Sequence, residues 1–124
     1  MPSVTAETFL QTVEQSKLLS EEQMAAARTR LAADGDVKKS AKRLIKKRIL
    51  TRWQTQQILA GNHLFFIGKY RLVSKLGEGG MGSVYKAQHV NSGRVVALKV
   101  MNEELLQKPG YVDRFLREVR AAAA

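Results

Sequence analysis

An α+β fold, a small helical module followed by a short antiparallel sheet, is what this sequence predicts, and three observations carry the prediction. Apolar residues recur at helical spacing up to about residue 60, with two capping boxes among them. Near residue 68 the pattern changes to β-rich runs. After the Pro109-Gly110 break the helical spacing returns. These changes divide the chain into a helical module at residues 1–62, a linker at 63–69 and a sheet-bearing unit at 70–124.

The first helix is expected from Thr5 to Lys17, with Phe9, Leu10 and Val13 on one face. Ser20-Glu21-Glu22-Gln23 is a capping box: the hydroxyl accepts from the backbone N–H three residues on, and the glutamine reaches back. A second helix therefore runs from about Glu21 to Ala33, with Met24, Ala27 and Leu31 inward and Gly35 as its stop. A third, from about Val37 to Lys47, carries the apolar stripe Val37, Ala41, Leu44 and Ile45. Thr51-Arg52-Trp53-Gln54 is a second capping box, opening a fourth helix that ends near Ala60, with Trp53 as its core anchor.

The segments KLLSEEQ and RILTRWQ align at an offset of 31 residues, from Lys17 to Arg48. Two helix starts solved alike and a duplicated helical hairpin both explain the match. The basic stretch Lys38 to Arg48 is read as the solvated side of an amphipathic helix, with an anion-binding surface as the alternative. It lacks interleaved aromatics for base stacking, and no nucleic-acid partner is expected.

YRLVSKLG, SVYKAQHV and RVVALKVM are three strand candidates, the last two joined by a tight turn at Asn91-Ser92-Gly93. The final helix places Val112, Phe115, Leu116 and Val119 on one stripe.

Composition narrows the function. The chain has 124 residues, no cysteine and a net charge of +10. Without cysteine there is neither a disulfide framework nor a thiolate-ligated metal site. His63 and His89 lie far apart and are expected to be ordinary surface or half-buried residues rather than ligands. The charge excess is +5 in residues 1–67 and +5 in 68–124, a spread that weakens the case for one dedicated nucleic-acid domain, while a basic surface still favours anionic partners in general. No segment approaches the roughly 20 apolar residues of a bilayer span. The N-terminus has no secretory pattern, and a cytoplasmic location is expected for this segment.

Leu76 to Ala87, LGEGGMGSVYKA, contains G-x-G-x-x-G at Gly77, Gly79 and Gly82. A dinucleotide fold would follow these glycines with a helix, and a Walker loop with Gly-Lys-Ser/Thr. Here strand chemistry follows, at Ser83-Val84-Tyr85. A glycine-rich hairpin folded over a triphosphate remains: without a Cβ, the backbone approaches phosphate oxygens and offers N–H donors. A cradle of amides leaves much negative charge unbalanced. Val96-Ala97-Leu98-Lys99 puts a lysine in an apolar strand, where it is costly unless paired or ligand-bound. Glu118, between Phe115 and Val119, is placed to orient it.

These motifs, in this order, resemble the N-terminal lobe of a protein kinase. The wording GEGGMGSVYKA with REVRAAA later is most similar to bacterial serine/threonine kinases of the eukaryotic (Hanks) type, some of which carry a helical region ahead of the kinase domain. Thr51, Gln54, Leu59, Gly61, Gly68 and Tyr70 match that arrangement.

The resemblance implies a partial kinase N-lobe of three antiparallel strands and the start of helix C. It implies an ATP-binding set of Leu76, Gly77, Glu78, Gly79, Gly80, Met81, Gly82, Ser83, Val84, Ala97 and Lys99. Lys99 would meet the α- and β-phosphates and pair with Glu118, while Val84 and Ala97 would pack on adenine. ATP, Mg2+ and a protein substrate are the implied cofactors and partner of the whole kinase. A protein partner for the helical module is a further expectation.

The H-R-D, D-F-G and A-P-E motifs do not occur. The resemblance therefore implies a fragment of a longer kinase, with no catalytic residue in this chain, the Mg2+ ligands in a missing C-lobe, and no phosphoryl transfer by these residues alone. A non-catalytic interaction or nucleotide-sensing protein with a helical docking module is the alternative.

Overall fold

The computed structural model describes residues 5–79, 82–101 and Gly110. Four helices come first: α1 (Ala6–Ser16), α2 (Glu21–Asp34), α3 (Val37–Lys46) and α4 (Arg52–Leu59). An antiparallel sheet follows, β1 (Phe66–Ile67), β2 (Tyr70–Gly79), β3 (Gly82–His89) and β4 (Val95–Met101), in spatial order β1-β2-β3-β4. The fold is α+β. The expected three strands are joined by a fourth, β1, which turns into β2 through Gly68-Lys69 with Gly68 at φ 57. The helix expected over Val112 to Val119, with Glu118, lies outside the described residues.

Local chemistry sets the helix ends. Thr5, Ser20, Asp36 and Thr51 are the four N-caps, each accepting from the backbone N–H three residues on. Both capping boxes close reciprocally. Gly35 ends α2 at φ 65 and donates its N–H to the Leu31 carbonyl at 2.7 Å. Phe9 and Val13 from α1, Met24 and Leu31 from α2, Ala41 and Leu44 from α3 and Ile58 from α4 form one core with Leu50 and Phe65. Full burial of each large side chain contributes about 1.5–3 kcal/mol.

The offset of 31 residues is a duplication in three dimensions. The N-caps Thr5 and Asp36 stand 31 apart, as do the capping boxes at Ser20 and Thr51. Between them, Lys17 and Arg48 are the non-glycine residues with positive φ among the described residues, at 58 and 59. A left-handed non-glycine costs about 1–2 kcal/mol. Its recurrence at the same step identifies two copies of one helical hairpin, α1–α2 and α3–α4.

The second copy is fastened to the sheet. β2 holds extra residues opposite β3 at two bulges, between Leu72 and Ser74 and between Lys75 and Gly77. At the first bulge, Thr51 Oγ1 donates to the Val73 carbonyl at 2.7 Å and Gln54 Nε2 to the Leu72 carbonyl at 2.8 Å. The capping-box side chains thus cap α4 and bind strand carbonyls together. Trp53, expected as the core anchor of α4, is half-buried and packs against that core. It stands edge-on to Phe65 at 5.7 Å and tilted against Tyr85 of β3 at 5.7 Å, bridging helix and sheet. Residues 63–69 hold both the buried Phe65 and strand β1.

Gln54→Ala leaves the Leu72 carbonyl without its side-chain donor and is expected to lower the unfolding free energy by about 1–3 kcal/mol. Gln23→Ala removes the equivalent side chain from the first copy, where it accepts from the Ser20 N–H, and should cost about 1 kcal/mol or less. Urea denaturation of both variants checks this; equal losses would show that the strand bond contributes nothing.

Candidate functional site

The β2–β3 hairpin brings the glycines to one end of the sheet. Gly77 pairs with Val84, Glu78 with Ser83 and Gly79 with Gly82. Gly82 takes φ +145, and a Cβ there would stand 1.9 Å from the Val100 carbonyl oxygen of β4. The third glycine of the motif is thus required by close packing of the hairpin tip on β4 as well as by backbone conformation. Among the described residues nothing stands within 4 Å of a Cβ added at Gly77 or Gly79.

β4 brings the lysine to the same region. Val84 lies opposite Lys99 and Lys86 opposite Ala97. Residues paired across antiparallel strands share a face, and alternate residues along a strand do so too. Val84, Lys86, Ala97 and Lys99 therefore occupy one face. Tyr85, Ala87, Val96 and Leu98 occupy the other, where Tyr85 meets Trp53 and Ala87 is fully buried. The helical module packs behind the sheet and leaves the Lys99 face on the opposite side.

Of the residues singled out by sequence, Val84, Ala97 and Lys99 converge on this face beside the glycine hairpin. Ser83 is on the alternate register, so only its backbone is available to a ligand on the Lys99 side. Leu76 is the extra residue of the second bulge and is exposed. Glu78 is exposed, with its carboxylate 3.2 Å from Lys75 Nζ. Gly80, Met81 and Glu118 lie outside the described residues, and with them the Lys99–Glu118 ion pair. Among the described residues no three His, Cys, Asp or Glu side chains gather.

Sequence reasoning missed the attachment of α4 to β2. Its one signal was a glutamine at the third helical position: a capping box occupies the side-chain oxygen and leaves the amide N–H2 to donate elsewhere.

The chain is 42% identical over 67 residues to the serine/threonine-protein kinase pkn2 of Myxococcus xanthus, which covers 54% of this chain and 8% of that protein. Pkn1 of the same organism is 50% identical over 54 residues, 44% of this chain and 8% of that kinase. The serine/threonine-protein kinase PknE of Mycobacterium bovis is 47% identical over 55 residues, 44% of this chain and 10% of that kinase. This chain is related to serine/threonine protein kinases. No family model matches it. The matched segment spans about a tenth or less of these kinases, and about half of this chain. That kinase relationship agrees with a sheet that carries a glycine-rich hairpin and a lysine on the neighbouring strand.

Proposed function

We propose that the β2–β3 hairpin and Lys99 form the phosphate clasp of an ATP site. The observation that carries this is the register of Val84 with Lys99, which sets the lysine on one face with Ala97 and beside the glycine hairpin. Backbone N–H groups at the hairpin tip donate to phosphate oxygens, and the Lys99 ammonium balances their charge. Val84 and Ala97 offer an apolar wall to adenine. Magnesium, when bound with ATP, supplies further neutralisation of phosphate charge. A longer protein carrying this segment would transfer the γ-phosphate to serine or threonine hydroxyls of protein substrates, acting in the cytoplasm. These residues alone would bind nucleotide without transferring it.

Calorimetric titration of the chain with Mg-ATP is expected to show saturable binding. Lys99→Ala should weaken it about tenfold or more, since a charge-assisted contact to phosphate is lost. Binding unchanged by that substitution would overturn the assignment.

A second reading, a non-catalytic nucleotide sensor, is favoured by the bonds from Thr51 and Gln54 to β2, which tie the helical module to the strand leading into the glycine loop. Transfer of labelled phosphate to protein by the longer chain would rule it out.

A further inference from the structure

The duplicated hairpin raises a question about its first copy. In the second copy, the α4 face containing Trp53, Gln54, Gln57 and Ile58 meets an extended chain at two of these residues: Gln54 bonds the Leu72 carbonyl and Trp53 packs on Tyr85. The equivalent α2 positions, 31 residues earlier, are Glu22, Gln23, Ala26 and Ala27. They line a groove of about 230 Å³ between α2 and α3, with Leu44 and Ile49 on its other side.

Replacement of large residues by small ones opens this groove. Ile58 corresponds to Ala27, and the buried Phe9 of the first copy corresponds to Ser40 in the second. Ser40 lines the groove, is 4% exposed, and its Oγ has no hydrogen-bond partner among the described residues. Gln23 Oε1 accepts from the Ser20 N–H as Gln54 Oε1 does from that of Thr51, and Gln54 Nε2 donates in addition to a strand carbonyl. The rim is cationic: Arg30, Arg43 and Lys47 line the groove and continue into a second concavity with Lys39, Lys42 and Lys46. Arg43 has an acidic neighbour in Asp34 at 3.8 Å, and Glu22 is the carboxylate on the groove wall.

We propose that this groove docks an extended, acidic segment of another polypeptide. An apolar side chain of that segment sits on the floor of Ala26, Ala27 and Leu44. Its carboxylates meet Arg30, Arg43 and Lys47, and its backbone takes the Gln23 amide as Leu72 takes that of Gln54. An apolar floor without aromatic side chains suits a peptide better than nucleobases, which need stacking surfaces.

The test is selection of random twelve-residue displayed peptides on the full chain, followed by binding and amide chemical-shift mapping of the enriched sequences. Two variants are measured in parallel, each checked for an unchanged far-UV spectrum and melt: the charge reversal Arg43→Glu/Lys47→Glu, and Ala26→Trp, which fills the groove from an exposed position. The expected peptides carry Asp or Glu around an apolar residue, shift the amides of Ala26, Ala27, Leu44 and Ile49, and bind both variants about tenfold more weakly or worse. The proposal is overturned by a failure to enrich any such peptide, or by binding that survives Ala26→Trp. It is equally overturned if a twelve-residue oligothymidylate displaces the peptides and shifts the same amides, since the surface would then be a general polyanion site.

Discussion

Gly82→Ala is expected to detach the tip of the β2–β3 hairpin from β4, while Gly79→Ala leaves it in place. At Gly82 an added Cβ would stand 1.9 Å from the Val100 carbonyl oxygen and 2.9 Å from its carbon, both backbone atoms. A backbone obstacle cannot swing aside as a side chain does, so the pairing of Gly82 with Met101 must open. The φ of +145 adds strain of about 1–3 kcal/mol for any residue with a side chain. Among the described residues Gly79 has nothing within 4 Å of its added Cβ, and its φ is not positive, so its cost should stay within about 0.5 kcal/mol. Thermal melts together with Mg-ATP titration separate the two. Loss of nucleotide affinity in Gly82→Ala alone supports a clasp shaped by the hairpin tip. Equal behaviour of the two variants would show that the tip's seat on β4 is unimportant.

Phe65→Ala should cost about 3–5 kcal/mol, because a large aromatic is removed from a close-packed core. Its ring is 1% exposed, packs among Phe9, Leu31 and Ile58, and stands edge-on to Trp53. Trp53 in turn touches Tyr85, so the cavity would loosen the link between the helices and the sheet as well as the helical core. Phe66→Ala, one residue on, is the control. Phe66 is 40% exposed on the short strand β1, and its loss should fall within about 0.5 kcal/mol. Domain stabilities are typically about 5–15 kcal/mol, so Phe65→Ala brings the protein near its unfolding threshold and Phe66→Ala does not. Urea midpoints measured side by side decide it; similar midpoints would mean that Phe65 is not a core residue in solution.

The run Leu64-Phe65-Phe66-Ile67 shows where sequence reasoning stops. All four residues are apolar, yet Leu64 is 80% exposed and Phe65 is in the core. Periodicity cannot choose among four adjacent apolar residues; the choice is made by Trp53 and the helical core, distant in sequence. The helix ends were legible because caps are local chemistry: Thr5, Ser20, Asp36 and Thr51 sit within three residues of the amides they satisfy. The turn at Asn91-Ser92-Gly93 was legible for the same reason, with Gly93 at φ 73.

The glycine hairpin and Lys99 were legible as a motif, and the register of β3 with β4 brings them to one face. The bonds from Thr51 and Gln54 to β2 were not legible, since each spans 18 to 22 residues. Trp53 was legible as the core anchor of α4, but its contact with Tyr85 of the sheet carried no sequence sign.

With eight residues, α4 is too short to persist alone in water. Its first turn is closed by the same two side chains that satisfy β2, through four hydrogen bonds of 2.7–3.1 Å. Helix and strand are therefore one cooperative opening unit: fraying of α4 releases the Leu72 and Val73 carbonyls, and peeling of β2 removes two of the helix's side-chain bonds. In hydrogen exchange their amides would share one protection energy, and the boundary between independently opening units would fall ahead of Thr51, not at the start of the sheet.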